Sequence, residues 1–184
     1  MRAAIVIGLL GLAGAMLYFR QANADEFPIE DFEPDPAEIP YMKTSANGIE
    51  AIKRREGFSP VPYPDASGFS IGYGHFIKPG ESFTEIDEAT ATQLLAADLA
   101  DAEAAISAGV TVGLSQGQYD ALASFIYNVG VGAFRKSTLL RKLNAGDFQG
   151  AAEEFSRWNK SQGAELAALT TRRAEEAAQF SQGA

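Results

Sequence analysis

Two carboxylates nine residues apart, Glu56 and Asp65, are the side chains of this sequence best suited to chemistry. Glu56 is expected at the end of a helix, where the helix negative pole and an apolar neighbour such as Phe58 disfavour the ionised form and suit a general acid. Asp65 lies in a polar turn with exposed backbone donors, where a carboxylate stays ionised and can act as base or nucleophile. A glutamate and an aspartate that are merely exposed to solvent, with no catalytic role, would give the same sequence. Flanking a groove, however, the pair has what hydrolysis of a glycosidic bond requires.

The segment that follows Asp65 is predicted to be a strand beside these carboxylates. Residues 69–75 alternate with a period of two, and the alternation separates Phe69, Ile71, Tyr73 and His75 from Ser70, Gly72 and Gly74. The second face is nearly bare, so a bulky ligand could lie against the backbone there. His75, the sole histidine, is expected to be structural and hydrogen-bonded beside the site.

Helix signals position this strand within a mainly helical chain. Ser45 or Asn47 caps a short helix that ends at Glu56, and Thr84 caps a long one that runs to about Ser107. Further helices are expected from the capping pair Ser115 and Gln118 to Gly130, and over 137–143, 147–155 and 164–180. We therefore predict an α+β fold dominated by helices, with a small β-hairpin or sheet. Trp158 and Phe134 are expected to pack in its core.

Composition excludes several classes of protein. The 184 residues include no cysteine and one histidine, which excludes disulfides, a thiol nucleophile and cysteine- or histidine-rich metal centres, so no metal or cofactor is expected. The net charge of −9 argues against a nucleic-acid partner. We expect the folded domain to be monomeric.

Residues 1–24 have the pattern of a signal peptide or a signal-anchor transmembrane helix. Ala3 to Phe19 carries no charge, and its 17 residues would rise roughly 26 Å as a helix, at the short limit for spanning a bilayer. Ala22-Asn23-Ala24 favours cleavage, whereas Tyr18-Phe19 followed by Arg20 favours retention. The charge asymmetry predicts that everything after the segment is exported.

Residues 25–44 are predicted to be an acidic, proline-rich linker, and residues 45–184 the folded domain. The linker has seven acids and one lysine, so like charges and prolines favour an extended spacer. Residues 1–24 carry +2, the linker −6 and the domain −5, so the linker has the largest net negative charge of the three segments.

Several motifs in a fixed order resemble the phage-type lysozymes, the endolysins of glycoside hydrolase family 24. They cover residues 46–183 and are Glu56-Gly57-Phe58, Tyr63-Pro64-Asp65, Ile71 to His75, Tyr127 to Phe134, Ser137 to Leu140, Leu143 to Asp147, Phe155 to Asn159 and Arg172 to Glu175. The resemblance implies a lysozyme-like fold and hydrolysis of the β-1,4 bond between N-acetylmuramic acid and N-acetylglucosamine in bacterial peptidoglycan. Residues 135–173, with eight bases and four acids, would be available to face this anionic wall polymer.

The same resemblance assigns roles to individual residues. Glu56 matches the acid, Asp65 the second carboxylate, and Ser70 stands where the family usually has a threonine that helps to hold the attacking water. One residue fewer separates Ser70 from Asp65 than in the common family pattern. Residues that match motifs bordering the substrate cleft are Gly72, Gly74, Asn128, Ser137 and Thr138. Arg172 and Arg173 can pair with Glu56 or Glu175, but adjacent helical residues point to different sides, so we expect at most one to reach the cleft.

Other functions remain compatible with the sequence. A lytic transglycosylase needs chiefly one acid, and a membrane-anchored virion or envelope protein could bind peptidoglycan without cleaving it. A secreted antibacterial lysozyme is a further alternative. The domain is expected to be exported to the periplasmic side. Residues 1–24 would tether the chain to the inner membrane, be cleaved, or release the chain from the membrane. Association with a virion is also compatible with the sequence. Whether the anomeric centre is inverted or retained depends on the carboxylate separation.

Overall fold

The computed structural model describes residues 42–65, 68–161 and 163–182. The helices are α1 (Ala46–Glu56), α2 (Glu88–Gly109), α3 (Gln116–Val129), α4 (Val131–Arg135), α5 (Thr138–Asn144), α6 (Phe148–Glu154) and α7 (Ala167–Ser181), with a 3-10 turn at Phe155–Trp158. The strands are β1 (Ser59–Asp65), β2 (Gly68–Gly72), β3 (His75–Phe76), β4 (Lys160–Ser161) and β5 (Ala164–Glu165). The predicted helix-dominated α+β fold is confirmed.

The first three strands form an antiparallel sheet in the order β1-β2-β3. Ser70 in the middle of β2 lies opposite Tyr63 of β1 on one side and Phe76 of β3 on the other. Because directly opposite residues project from the same face of a sheet, these three side chains form one row. A register shift between Ser59 and Tyr63 interrupts the β1-β2 pairing, and β4 and β5 form a separate two-stranded hairpin.

The predicted single strand over 69–75 is wrong, because a turn divides it. β2 ends at Gly72, and Gly72 and Gly74 have φ values of +65° and +91°, which reverse the chain into β3. The predicted bare face at Gly72 is also wrong. A Cβ atom added to Gly72 would lie 2.9 Å from the Cβ of Ala91, so helix α2 already occupies that side.

Helix α3 is the centre of the helical part, and it packs against α1, α2 and α7. Its Phe125 contacts Phe155 and Trp158 edge to face, with ring centroids 5.2 Å and 5.4 Å apart. Each large apolar side chain buried here contributes about 1.5 to 3 kcal/mol to stability. The prediction that Trp158 and Phe134 pack in the core is confirmed, since Phe134 is fully buried and Trp158 packs against the core cluster.

The helix starts follow their capping side chains. Ser45 accepts a hydrogen bond from the Gly48 amide, and Ser115 and Gln118 form the predicted reciprocal box. The long helix begins later than predicted, because Asp87 rather than Thr84 supplies the cap, accepting from the Thr90 amide.

The last part of the chain departs from the prediction in two places. Residues Ala164–Glu165 pair in β5, so α7 begins at Ala167. The short helix α4 after Gly130 was not predicted, because Gly130 ends α3 but, at φ +87°, also turns the chain directly into a new helix.

The packed domain begins by Met42, slightly before the predicted Ser45. Met42 packs against the core, and the Thr44 amide donates to Glu103 Oε1 at 2.8 Å. The predicted membrane segment, 1–24, and linker residues 25–41 lie outside the described residues. None of the helices that the structure describes is long and apolar enough to cross a bilayer.

Candidate functional site

A cleft of about 500 Å³ lies between the three-stranded sheet and the helices. Four residues predicted from the sequence line it, namely Glu56, Asp65, Gly74 and Asn128. They come from the end of α1, the end of β1, the β2-β3 turn and the end of α3, so only the tertiary fold brings them together.

Ser70 holds Asp65 in position from beneath the cleft. The Ser70 hydroxyl donates to Asp65 Oδ2 at 2.9 Å, and the Ser70 side chain is fully buried. Ser70 is not among the cleft-lining residues, so it acts on the cleft through Asp65. The hairpin explains the contact, because Asp65 ends β1 and Ser70 lies on β2, its paired strand.

Glu56 is paired with a guanidinium. Arg172 Nη1 lies 2.6 Å from Glu56 Oε1, and Arg172 is itself buried. The sequence placed Glu56 correctly as the last residue of its helix, before Gly57 at φ +73°. For this carboxylate it offered both an apolar neighbour such as Phe58 and pairing with Arg172 or Arg173, and the structure has the pairing with Arg172, 116 residues away along the chain.

A buried polar network holds Arg172 in turn. Its Nε lies 3.1 Å from Glu176 Oε1 and its Nη2 donates to the Ser124 carbonyl oxygen. Ser124 Oγ donates to Glu176 at 2.7 Å and accepts from Arg55 at 3.1 Å. Because a guanidinium with all three nitrogens engaged has little rotational freedom, it holds Glu56 Oε1 in one position.

The neighbouring arginine also reaches a cleft residue. Arg173 Nη2 donates to Asn128 Oδ1 at 2.8 Å. Neither Arg172 nor Arg173 is among the residues that line the cleft, so the expectation that at most one of them would reach it is not contradicted. Residues at adjacent positions leave the helix in different directions, but their long side chains end at two different residues of the same cleft, Glu56 and Asn128.

The cleft is electrostatically negative. Burial raises the pKa of the Tyr63 hydroxyl, and the charges of Asp65 and Glu56 raise it further. Burial also raises the pKa of Tyr127, followed by the charges of Asp98 and Glu56. Both hydroxyls are therefore neutral donors at physiological pH, and Tyr127 donates to the Tyr73 carbonyl oxygen at 3.0 Å.

His75 is structural, as predicted. It is buried, with Nδ1 2.7 Å from Asp98 Oδ2 and Nε2 3.0 Å from Glu81 Oε2. Both ring nitrogens are thus occupied by carboxylates, and His75 is not among the residues that line the cleft. It joins β3 to helix α2 and so fixes one wall of the cleft.

Three other predicted residues lie away from the cleft lining. Ser137 is buried and caps α5 by accepting from the Leu140 amide. Thr138 accepts a hydrogen bond from Arg141, and Gly72 is buried against α2. The sequence pattern at these positions is accounted for by capping and packing.

Tyr63 and Phe76, which were not predicted as site residues, line the cleft and lie on either side of Ser70. A signal was present for Tyr63, because it lies two residues before Asp65 and alternation puts both on one face of a strand. Phe76 has no such signal, since its position opposite Ser70 depends on the turn at 73–74, which the alternating pattern does not predict.

A model of the Phage lysozyme family matches residues 53–176. Among solved structures, P22 lysozyme superposes with a TM-score of 0.69 at 41% identity, covering 76% of this chain and 98% of that one. The muramidase domain of SpmX from Asticaccaulis excentricus gives 0.70 at 35%, covering 75% and 97%. Fold and cleft thus define a lysozyme-like protein.

Curated relatives agree with this class. The endolysin of Salmonella phage P22 is 43% identical over 144 residues, covering 76% of this chain and 98% of the relative. The endolysin of Bacillus phage B103 is 41% identical over 145 residues, but the chain spans only 55% of that relative's length. A SAR-endolysin of bacteriophage PS119 is 41% identical over 131 residues, covering 69% of this chain and 73% of the relative. The chain belongs to the phage lysozyme family.

Proposed function

We propose that this chain is a peptidoglycan hydrolase, a muramidase that cleaves the β-1,4 bond between N-acetylmuramic acid and N-acetylglucosamine. The observation that carries the proposal is the cleft itself: Glu56 and Asp65 both line it, one held by Arg172 and the other by Ser70. Two carboxylates with different partners are what acid and base roles require. The relatives named endolysin and muramidase support the same activity.

In the proposed mechanism Glu56 protonates the leaving glycosidic oxygen. Arg172 engages Oε1, whereas Oε2 lies on the side of Gly74, where an added Cβ would be 3.8 Å from it. Gly74 lines the cleft, so Oε2 is the oxygen available to the substrate. The absence of a side chain at Gly74 lets the sugar approach this oxygen closely.

Asp65 acts on the other reacting group. Its carboxylate activates the incoming water or stabilises the charge that develops on the sugar, and the Ser70 hydroxyl fixes its orientation. Ser70 thereby fills the place of the usual family threonine through a hydrogen bond to the carboxylate. Of the residues predicted to contact substrate, we assign Gly74 and Asn128 to the cleft.

The test is clearing of purified peptidoglycan in a zymogram and in a turbidity assay. Glu56→Gln and Asp65→Ala are each expected to lower the rate by at least about 100-fold. Glu50→Gln is the matched control, because Glu50 is an exposed acid of the same helix that pairs with Lys53. Full activity in Glu56→Gln would overturn the mechanism.

Product analysis separates the neighbouring functions. A hydrolase creates one new reducing end for each bond that it cleaves, whereas a lytic transglycosylase creates an anhydro sugar end. A protein that only binds peptidoglycan would sediment with it and release no soluble fragment. Reducing ends whose appearance depends on Glu56 and Asp65 are the expected result.

We further propose that residues 1–24 direct the domain across the inner membrane and tether it there until cleavage or release, with residues 25–44 as the spacer. The charge-free run Ala3 to Phe19 and the relative named SAR-endolysin support this organisation. The site of action is then the periplasmic side. Fractionation with N-terminal sequencing tests it, because a mature chain that begins at Asp25 would rule out an anchor and an intact chain in the membrane fraction would support one.

A further inference from the structure

Arg173 of helix α7 is buried, and packing of the core does not account for the free-energy cost of burying its charge. It is 1% exposed and is among the largest fully buried side chains of the described chain. Its Nε lies 3.1 Å from Glu176 Oε2, and its guanidinium carbon lies 5.1 Å from the Phe125 ring centroid. Because a buried ion pair adds little net stability over apolar residues of the same volume, packing alone gives no reason for an arginine here.

The guanidinium is charged and fixed in its plane. Burial lowers the pKa of Arg173 to about 10, and the charge of Glu176 opposes this decrease, so the side chain is protonated at physiological pH. Glu176 on one side and the Phe125 ring on the other hold it. Its Nη2 donates to Asn128 Oδ1 at 2.8 Å and lies 3.5 Å from Glu176 Oε1.

This contact determines which way the Asn128 amide faces. A guanidinium only donates, so the atom of Asn128 that it meets must be the carbonyl oxygen and not the NH2 group. The NH2 group lies on the other side of the amide, and Asn128 is exposed and lines the cleft with Glu56 and Asp65. Within the described part of the chain, Nδ2 of Asn128 has no protein acceptor.

We propose that Arg173 is a positioning residue that makes Asn128 a dedicated hydrogen-bond donor in the cleft, where Nδ2 binds an amide carbonyl oxygen of the glycan strand. The inference rests on the proposed function and goes beyond it by naming the group recognised. Two sources offer this chemistry, the N-acetyl groups of the sugars and the peptide stems attached to the glycan. A substrate group that only donates would be rejected by the same arrangement.

The test uses Asn128→Asp in the full chain. Aspartate has nearly the same shape and keeps an acceptor for Arg173, so the fold is retained, but it presents an acceptor where the substrate needs a donor. We expect KM for peptidoglycan to rise about tenfold while kcat changes less than threefold and the unfolding temperature does not fall. If Asn128 had only a structural role, the substitution would lower the unfolding temperature and would not raise KM selectively over kcat.

Two further variants separate donor loss from charge. Asn128→Leu removes the donor without adding a negative charge, and the same rise in KM is expected. Asn47→Asp makes the same chemical change at an exposed position of α1 and is expected to leave KM and kcat as in the parent. Arg173→Lys keeps the charge but not the planar fork, so it should raise KM in the same direction.

The two carbonyl sources are distinguished by measuring each variant on intact peptidoglycan and on glycan from which the stems have been removed. A KM rise on both identifies the N-acetyl carbonyl, and a rise on intact peptidoglycan alone identifies a stem carbonyl. KM values within threefold of the parent on both substrates would overturn the inference. If the parent chain itself releases no fragments, it is the proposed function that fails.

Discussion

Asp65 borders the cleft, but the hydroxyl that orients it is out of reach of solvent. Ser70 is fully buried and donates to Asp65 Oδ2 at 2.9 Å. A buried hydroxyl cannot contact the sugar directly, so any contribution it makes must pass through the carboxylate.

Replacing this hydroxyl should therefore change the rate and not the affinity. Ser70→Ala is expected to lower kcat about tenfold with KM nearly unchanged, because the Asp65 carboxylate loses one hydrogen bond that orients it. Steady-state kinetics on peptidoglycan measure this. Ser59→Ala, which removes a hydroxyl bonded to the Val61 carbonyl on the same sheet, is the control and should have parental kcat. An unchanged kcat in Ser70→Ala would show that Asp65 is oriented by other contacts.

At the scale of elements, the turn between β2 and β3 depends on close packing as well as on glycine. Gly72 and Gly80 have similar positive φ values of +65° and +97°. Gly72 packs against Ala91 of α2, whereas a Cβ on Gly80 would have no neighbour within 4 Å. Comparing substitutions at these two glycines therefore separates the free-energy cost of backbone strain from that of steric overlap.

We expect Gly72→Ala to lower the free energy of unfolding by about 1 to 3 kcal/mol more than Gly80→Ala does. Both variants carry the cost of a left-handed conformation, about 1 to 2 kcal/mol, so the difference measures the clash with α2. Urea unfolding at neutral pH gives both values. Equal losses would mean that α2 can move away from the sheet.

The start of α2 provides a second test at this scale. Asp87 accepts from the Thr90 amide, and a hydrogen bond from the Thr90 hydroxyl, followed by that from the amide, lowers the pKa of Asp87. Asp87→Ala should lower the unfolding temperature, because a helix terminus loses its cap, whereas Thr84→Ala should not. Because the pKa of Asp87 is lower in the folded than in the unfolded state, its carboxylate stabilises the fold at pH values above the unfolded pKa, and this stabilisation is lost as the pH falls through the folded pKa. The unfolding temperatures of the two variants should therefore converge in acid. A larger loss in Thr84→Ala would place the cap where the sequence alone suggested.

At the scale of the whole molecule, the excess of basic over acidic side chains in residues 135–173 is smaller at the protein surface than the count from the sequence. Eight bases and four acids lie in this range, but Arg172 and Arg173 are buried and paired. Lys142 and Arg157 both pair with Glu154. The bases that remain exposed and without an ion pair within the described residues include Arg135 and Lys136.

These ion pairs predict how the domain responds to acid. A hydrogen bond from Lys142, followed by its charge and that of Arg157, lowers the pKa of Glu154 below its ordinary 4.5. The stabilisation is therefore complete above pH 4.5 and is lost as the pH falls through the lower folded value. Lys142→Met should lower the free energy of unfolding at pH 7 by about 1 to 2 kcal/mol, and the difference from the parent should shrink in acid.

Urea unfolding between pH 7 and pH 3 measures this convergence. Lys136→Met is the matched control, because Lys136 is an exposed lysine without an ion pair in the described chain, and its unfolding curve should follow the parent at every pH. A constant difference between Lys142→Met and the parent would show that packing of the lysine stem, and not the ion pair, is what the substitution removes.

The sequence by itself determined the helix-dominated fold, the helix cap at Ser115, a first cap at Ser45 or Asn47, and the placement of Glu56 at a helix end and Asp65 beside a turn. All of these are local, because capping, periodicity and turn preference act over a few neighbouring residues. Family motifs extended the prediction to the cleft residues Gly74 and Asn128.

Only the tertiary structure decided what those residues contact. The sequence offered Arg172 as one of two partners for Glu56, and it did not predict Arg173 on Asn128 or the helix that covers Gly72. These contacts join α7 to α1, α7 to α3, and α2 to the sheet, across separations along the chain that no periodicity encodes. The positions of the two carboxylates could be predicted from the sequence because each depends on its own segment, whereas the residues that they contact depend on how the segments pack.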